Sequence, residues 1–298
     1  MKERAAPPAG AGRSRRRTNG DGEVRRSVLM ALPGMGWLFI FFLLPVLFVI
    51  GASFFSRGVG GVPTPPLTLD HYERTFDVFG GIIWRSLGYA LISTFVCLLI
   101  GYPVAWFIAQ RRSPGARMLL LFLVLLPFWT NFLVRTYALI TILQREGLLN
   151  GILLRMGITS EPLQMMFTEG AVILGLIYGY LPFMILPIYA SVERLDKRYV
   201  EAAFDLGAND WRTFWRVIFP LTLPGVIAGS MLVFIPTIGA FVTPDLMGGT
   251  RGLMIGNLIQ SQFGGRGNMP LGSAISVVLL LIVFIGVIIY SRHGEERR

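Results

Sequence analysis

The sequence predicts an all-α protein that crosses a membrane six times, with one helix–turn–helix loop between its fourth and fifth spans. Three observations predict it. Hydrophobic residues make up 53% of the 298, charged residues only 15%, and the mean hydropathy is +0.62. A soluble domain is usually about one-quarter charged, so this chain cannot cover a water-facing surface. Six apolar stretches reach the roughly 20 residues that cross a bilayer. Finally, Lys and Arg concentrate in every second connection, as topology requires.

Taken in order, residues 1–27 are rich in Arg, Gly, Pro and Ala and hold almost nothing to bury, which predicts a disordered basic tail. The apolar stretch behind it far exceeds the h-region of a cleaved leader and lacks a small-residue cleavage pattern. It therefore predicts a retained span within 28–55. The remaining spans are expected at about 86–110, 118–143, 170–192, 217–244 and 267–291, with a short polar tail over 292–298. The third is read as one helix that continues past Arg135. Pro45, Pro103, Pro127, Pro182, Pro187 and Pro236 lie in these stretches. Packed membrane helices tolerate them because neighbours re-satisfy the freed carbonyls.

Orientation follows from the basic residues. The first tail, the 110–117 connection, the 193–216 loop and the C-terminal end carry 19 of the 27 Lys and Arg, and the alternate connections carry 6. Both termini and the 193–216 loop are expected in the cytoplasm. The net charge of +10 is then mainly a topology signal whose counterpart is anionic lipid. No folded basic surface suggests nucleic acid.

The chain shows no energy source of its own. No phosphate-binding G-x-x-x-x-G-K-[ST] loop occurs, and Lys2 and Lys197 are the two lysines. No H-E-x-x-H, no G-x-S-x-G and no intramembrane carboxylate relay is found. Cys97 is the single cysteine, and His71 and His293 lie in different connections, so no metal site is expected. Three classes remain: a passive channel, a membrane enzyme without recognisable chemistry, and one subunit of a machine powered elsewhere.

The 193–216 loop favours the last. Asp196 can cap a short helix running from Lys197 to Leu206, which places Glu201 and Asp205 on one face. Gly207 suits the left-handed residue that ends it. Asn209 or Asp210 then caps a second helix, with Trp211, Phe214 and Trp215 toward an apolar surface and Arg212 and Arg216 near lipid headgroups. Without further information it is equally an amphipathic connector.

Glu201-Ala-Ala-x3-Gly207-x9-Val217-x-Phe219-Pro220 resembles the E-A-A-x3-G-x9-I-x-L-P loop of the membrane subunits of ABC importers, the MetI-like permeases. Val217 and Phe219 depart from the usual Ile and Leu but stay apolar. Phe128-Trp-Thr-Asn-Phe-Leu-Val-Arg-Thr-Tyr137, Ile173-x-Gly-Leu-x-Tyr178, Leu181-Pro-Phe-Met184, Asp245-Leu-Met-Gly-Gly249 and Leu253-Met-Ile-Gly-Asn257 resemble the spermidine/putrescine branch of that family. The resemblance covers roughly residues 30–290.

The resemblance implies a transport subunit of the bacterial inner membrane, not an enzyme. Residues 28–291 would form the six-span permease domain, supplying half of a translocation path. Its partners would be a dimer of ATPase subunits, a second permease in a heterodimer, and an extracytoplasmic solute-binding protein. ATP and Mg would be bound by the ATPase and no cofactor by this chain. Glu201, Ala202, Ala203, Asp205 and Gly207 would form the ATPase-coupling loop. The solute would be a polyamine, or in the same architecture an amino-acid derivative, an opine or an anion.

For a polyamine, aromatic faces and carboxylates are the useful groups. Trp129, Asn131, Arg135, Tyr137, Tyr178 and Asp245 are the path candidates, with Tyr180 and Glu169 beside them. Trp and Tyr also mark interfacial belts. A charge in a span is expensive, so Arg135 either snorkels, forms a structural ion pair, or serves as a gate or scaffold. It is not expected to be a ligand for a cation. Asp245 is the leading single candidate because an entering cation would pass it.

Overall fold

The computed structural model describes residues 30–250, 252–264 and 267–295. The basic tail expected over 1–27 and the last three residues lie outside them. Met1–Phe48 and Val49–Arg298 form two units.

Helix α1 runs Met30–Ala52. Up to Phe48 its large side chains, Trp37, Phe41 and Phe42 among them, are exposed, as on a helix that faces hydrocarbon. It contains a π-turn over Phe39–Leu43, closed by the Leu44 N–H on the Phe39 carbonyl. Pro45 follows at once. A proline ring crowds the carbonyl four residues back, and the wider π-turn leaves room for it.

The second unit continues with a small hairpin, strands β1 Phe55–Arg57 and β2 Pro63–Leu67, paired antiparallel with Arg57 opposite Pro63. Gly60 and Gly61 make its turn at φ 75° and 82°, a conformation that glycine adopts freely. Helix α2 (Asp70–Asp77) locks the hairpin down: His71 Nε2 lies 3.1 Å from the Phe55 carbonyl and Tyr72 Oη 2.7 Å from Ser53 Oγ. None of this was expected from the Gly/Pro-rich connection. It adds a minor strand pair to an otherwise helical protein.

Helix α3 follows over Gly80–Ala109, six residues before its expected start. Arg85 lies within it, its Nε donating to the Leu253 carbonyl at 3.1 Å. The expected third span is not one helix. Helix α4 (Pro114–Leu125) passes into a 3₁₀ turn over Leu126–Trp129, α5 (Phe132–Leu143) starts after the break, and the Phe132–Arg155 segment that it opens leaves at 93°. Pro127 has no N–H to continue the ladder, and Asn131 starts a new helix by accepting the Leu133 N–H at 2.8 Å.

Helices α6 (Leu148–Arg155), α7 (Glu169–Glu193) and α8 (Lys197–Asp205) come next. Helix α9 runs unbroken over Asp210–Ile238, so the second helix expected within the 193–216 loop is the start of the fifth span. A π-turn over Phe214–Ile218 precedes Pro220 and accommodates it, as in α1. The expected end at 244 is also displaced. After Gly239 the chain turns into a separate helix α10 (Val242–Gly248), then α11 (Ile255–Phe263) and α12 (Met269–Glu295), which passes the expected end at 291. Among the described residues five helices are long and apolar enough to cross a membrane, six if the bent α4–α5 pair counts as one span.

The main core lies where α3, α7 and α9 meet, around Cys97, Ala105, Met184, Ile188, Val226 and Val233. Small residues permit this approach. A Cβ on Gly225 would overlap Ser191 Oγ and lie 2.5 Å from the Pro187 carbonyl, and one on Gly229 would lie 3.0 Å from Met184 Sδ. Gly225→Val is therefore expected to force α7 and α9 apart, at about 3 kcal/mol. A lowered melting temperature in detergent is the readout, and an unchanged one would show that the contact is slack. A second core joins α12 to α3 and α11 through Leu271, Ile275, Val278, Ile83 and Ile255.

Candidate functional site

Helix α8 is defined at both ends by its own sequence. Asp196 accepts the Arg198 N–H at 3.0 Å. At the other end Gly207 sits at φ 80°, with its N–H on the Phe204 carbonyl (2.8 Å) and the Ala208 N–H on the Ala203 carbonyl (3.0 Å). These two hydrogen bonds around a left-handed residue are the Schellman ending. Asn209, rather than Asp210, caps α9 by accepting the Arg212 N–H at 2.9 Å.

The helix turns one small residue, Ala203, inward and exposes Glu201, Ala202 and Asp205. Beside these carboxylates stand exposed apolar side chains: Leu206 is 89% exposed, Trp211 70% and Tyr199 59%. Polar groups rimming a cluster of exposed large apolar side chains mark an interaction surface. Thus the five loop residues named from sequence share one short helix and its ending, and four of them face outward.

Behind the loop lies a contact that the sequence did not suggest. Phe214, in the π-turn of α9, meets the Tyr102 ring of α3 edge-on at 5.5 Å, and Phe219 lies 6.0 Å from the same ring. Tyr102 Oη and Thr222 Oγ1 are 2.9 Å apart. These residues are 120 positions apart, and no local pattern pairs them. On the same side Arg117, at the start of α4, forms an ion pair with Glu193 at the end of α7, joining two connections that the charge count places together.

The break between α4 and α5 brings together some of the path candidates. Arg135 is 9% exposed, so it does not snorkel, and no carboxylate partner is found for it among the described residues. Its Nη1 donates to the Pro127 carbonyl at 3.0 Å. The guanidinium lies over Phe128, Phe132 and Tyr178 at 5.3, 5.6 and 6.0 Å from the ring centroids. Arginine stacks on aromatic faces and is more weakly hydrated than lysine, which is how a charge can be held there. Arg135 thus shares the Pro127 carbonyl with the Thr130 hydroxyl and N–H and brings the rings of α5 and α7 onto one charge.

The other candidates are dispersed. Trp129 is exposed and meets Phe122 edge-on at 5.8 Å. Tyr137 is exposed on α5, and the Asn131 side-chain oxygen is committed to its helix cap. Tyr180 is half-buried beside Phe183. Glu169 is the exposed first residue of α7, and Asp245 is exposed in the first turn of α10. Phe128 and Phe132 are the residues the sequence reading missed. Their positions seven and three before Arg135 were visible, but the break that turns them onto one charge was not.

Comparison with known proteins is consistent with this geometry. Residues 101–294 match the family described as binding-protein-dependent transport system inner membrane component. The spermidine/putrescine transport system permease protein PotB of Escherichia coli (strain K12) is 46% identical over 262 residues, covering 88% of this chain and 95% of that one. PotB of Haemophilus influenzae is also 46% identical, over 260 residues, covering 87% and 91%. A chain of a bacterial alginate ABC transporter, solved with an alginate-pentasaccharide-bound periplasmic protein, matches with a TM-score of 0.71. That match has 17% identity and covers 92% of this chain and 96% of that one; at such identity it speaks to the fold alone.

Proposed function

The chain belongs to the binding-protein-dependent transport system inner membrane components, the permeases of ABC importers, and from that premise we propose that it conducts polyamines. It is a multi-pass protein of the inner membrane and a transport subunit, not an enzyme. The observation that carries the polyamine reading is the 46% identity to PotB, which extends over 88% of the chain. In this reading the chain supplies half of the path for spermidine or putrescine, and a second permease supplies the rest. A solute-binding protein delivers the polyamine from outside.

The ATPase would dock on α8. Its exposed carboxylates and apolar side chains support this, as does the absence of a phosphate-binding loop in the chain itself. ATP and Mg are assigned to that partner. Both termini and α8 are assigned to the cytoplasm by the basic-residue count, so that ATPase closure pushes on the end of α9. Trp129, Tyr137, Tyr178 and Asp245 are proposed to face the solute, and Arg135 to hold the shape of the path without touching it.

The test is reconstitution of the whole importer with its binding protein in lipid vesicles. Spermidine or putrescine is expected to stimulate ATP hydrolysis and to accumulate inside. Stimulation by an amino-acid derivative, an opine or an anion, with both polyamines inert, would reassign the solute and leave the architecture standing. Flux without an ATPase would identify a channel instead.

A further inference from the structure

We propose that Tyr102 is a positioning residue that makes α3 follow the docking loop, through its hydrogen bond to Thr222. The inference rests on the reading of α8 as the ATPase contact. Past Gly207 the chain enters α9 at once, and that helix continues from Asp210 to Ile238. Only the short turn over 206–209 separates the docking helix from the span, so a push on α8 reaches the adjoining end of α9. Helix α3 has no covalent share in that movement.

Its link is the cluster below the π-turn. Thr222 is fully buried, and its Oγ1 lies 2.9 Å from the Ile218 carbonyl and 3.2 Å from that of Phe219. A threonine hydroxyl has one proton. Given to the Ile218 carbonyl, it leaves Thr222 Oγ1 as the acceptor, so Tyr102, itself 8% exposed, is the donor across the helix pair. The Phe214 and Phe219 rings, both N-terminal to Thr222 along α9, pack against the tyrosine.

Ring contacts alone can slide, because dispersion attraction has little directionality. A hydrogen bond in a dry interior behaves differently. Sliding would leave the Tyr102 hydroxyl without its acceptor and without water to replace it. The rings give the joint its shape, and the Tyr102–Thr222 bond fixes its register. Helices α3 and α9 then move as a pair when α8 is displaced.

Tyr102→Phe in the assembled importer separates the two contributions, since the ring stays and the hydroxyl goes. Expression, ATPase co-purification and solute-independent hydrolysis are expected to persist, while solute taken up per ATP hydrolysed falls about tenfold, the worth of one buried hydrogen bond. Thr222→Val is expected to give the same fall, Thr222→Ser to restore the ratio, and the double variant to be no worse than either single one. An unchanged ratio in Tyr102→Phe, additive losses in the double variant, or loss of the ATPase from the purified complex would each overturn the proposal. Failure of the docking reading is seen elsewhere: Gly207→Val would then retain its ATPase.

Discussion

Gly207→Val is expected to abolish ATP-driven uptake while leaving the protein inserted in the membrane. Gly207 sits at φ 80°, and a Cβ built there meets nothing within 4 Å. The damage is therefore conformational rather than steric. A left-handed backbone costs an L-residue roughly 1–2 kcal/mol, and β-branching adds to that. Without the turn, the bonds from Gly207 and Ala208 back to Phe204 and Ala203 are lost, and α8 no longer presents Glu201, Ala202 and Asp205 together. Gly207→Asn, which tolerates the left-handed region, should keep most of the activity.

Glu201→Lys probes the same surface without touching the fold, because Glu201 is exposed on α8. Co-purification of the ATPase should fall at least tenfold, about 1.4 kcal/mol, with normal amounts of permease in the membrane. Survival of both co-purification and uptake in Gly207→Val and Glu201→Lys would remove α8 as the docking element.

Arg135→Met should have an effect of comparable size at the opposite part of the molecule. Methionine fills much of the volume but removes the charge-assisted bond to the Pro127 carbonyl, worth about 1.5–3 kcal/mol, and leaves that oxygen only the Thr130 hydroxyl (2.7 Å) and N–H (3.3 Å). The contacts with Phe128, Phe132 and Tyr178 are worth about 0.5–2 kcal/mol in total even by a cautious estimate. The bend that opens at the break between α4 and α5 is then less firmly held. Uptake is expected to drop more than tenfold, with a changed spin-label distance across the break. Arg135→Lys should rescue only partly, since an ammonium can donate to one carbonyl but cannot lie flat on rings. Normal uptake and an unchanged distance in Arg135→Met would show that Pro127 and Asn131 make the break unaided.

Much of helix α8 was legible because its determinants are local. Asp196, Gly207 and Asn209 each act within three or four residues of themselves, so a cap or a left-handed turn can be recognised from spacing alone. The break in the third span had visible parts as well, Pro127 and Asn131. Proline in an apolar stretch is compatible with a straight packed helix, however, and nothing nearby distinguishes the outcomes. Arg135 was undecided for the same reason. Whether a charged side chain reaches the headgroups or folds inward depends on what surrounds it, here Tyr178 from a separate helix.

By itself the sequence determined the membrane-spanning class, the positions of most spans and the short helix that offers Glu201. Hydrocarbon solubility, charge placement and helix capping are properties of contiguous residues, and contiguous residues are what a sequence displays. Only the tertiary structure decided that the second helix of the loop is the foot of α9, that α4 and α5 part at Pro127, and that Tyr102 finds Thr222. Those outcomes depend on which surfaces of distant helices meet, and in a uniformly apolar chain the hydropathy pattern does not distinguish one apolar face from another.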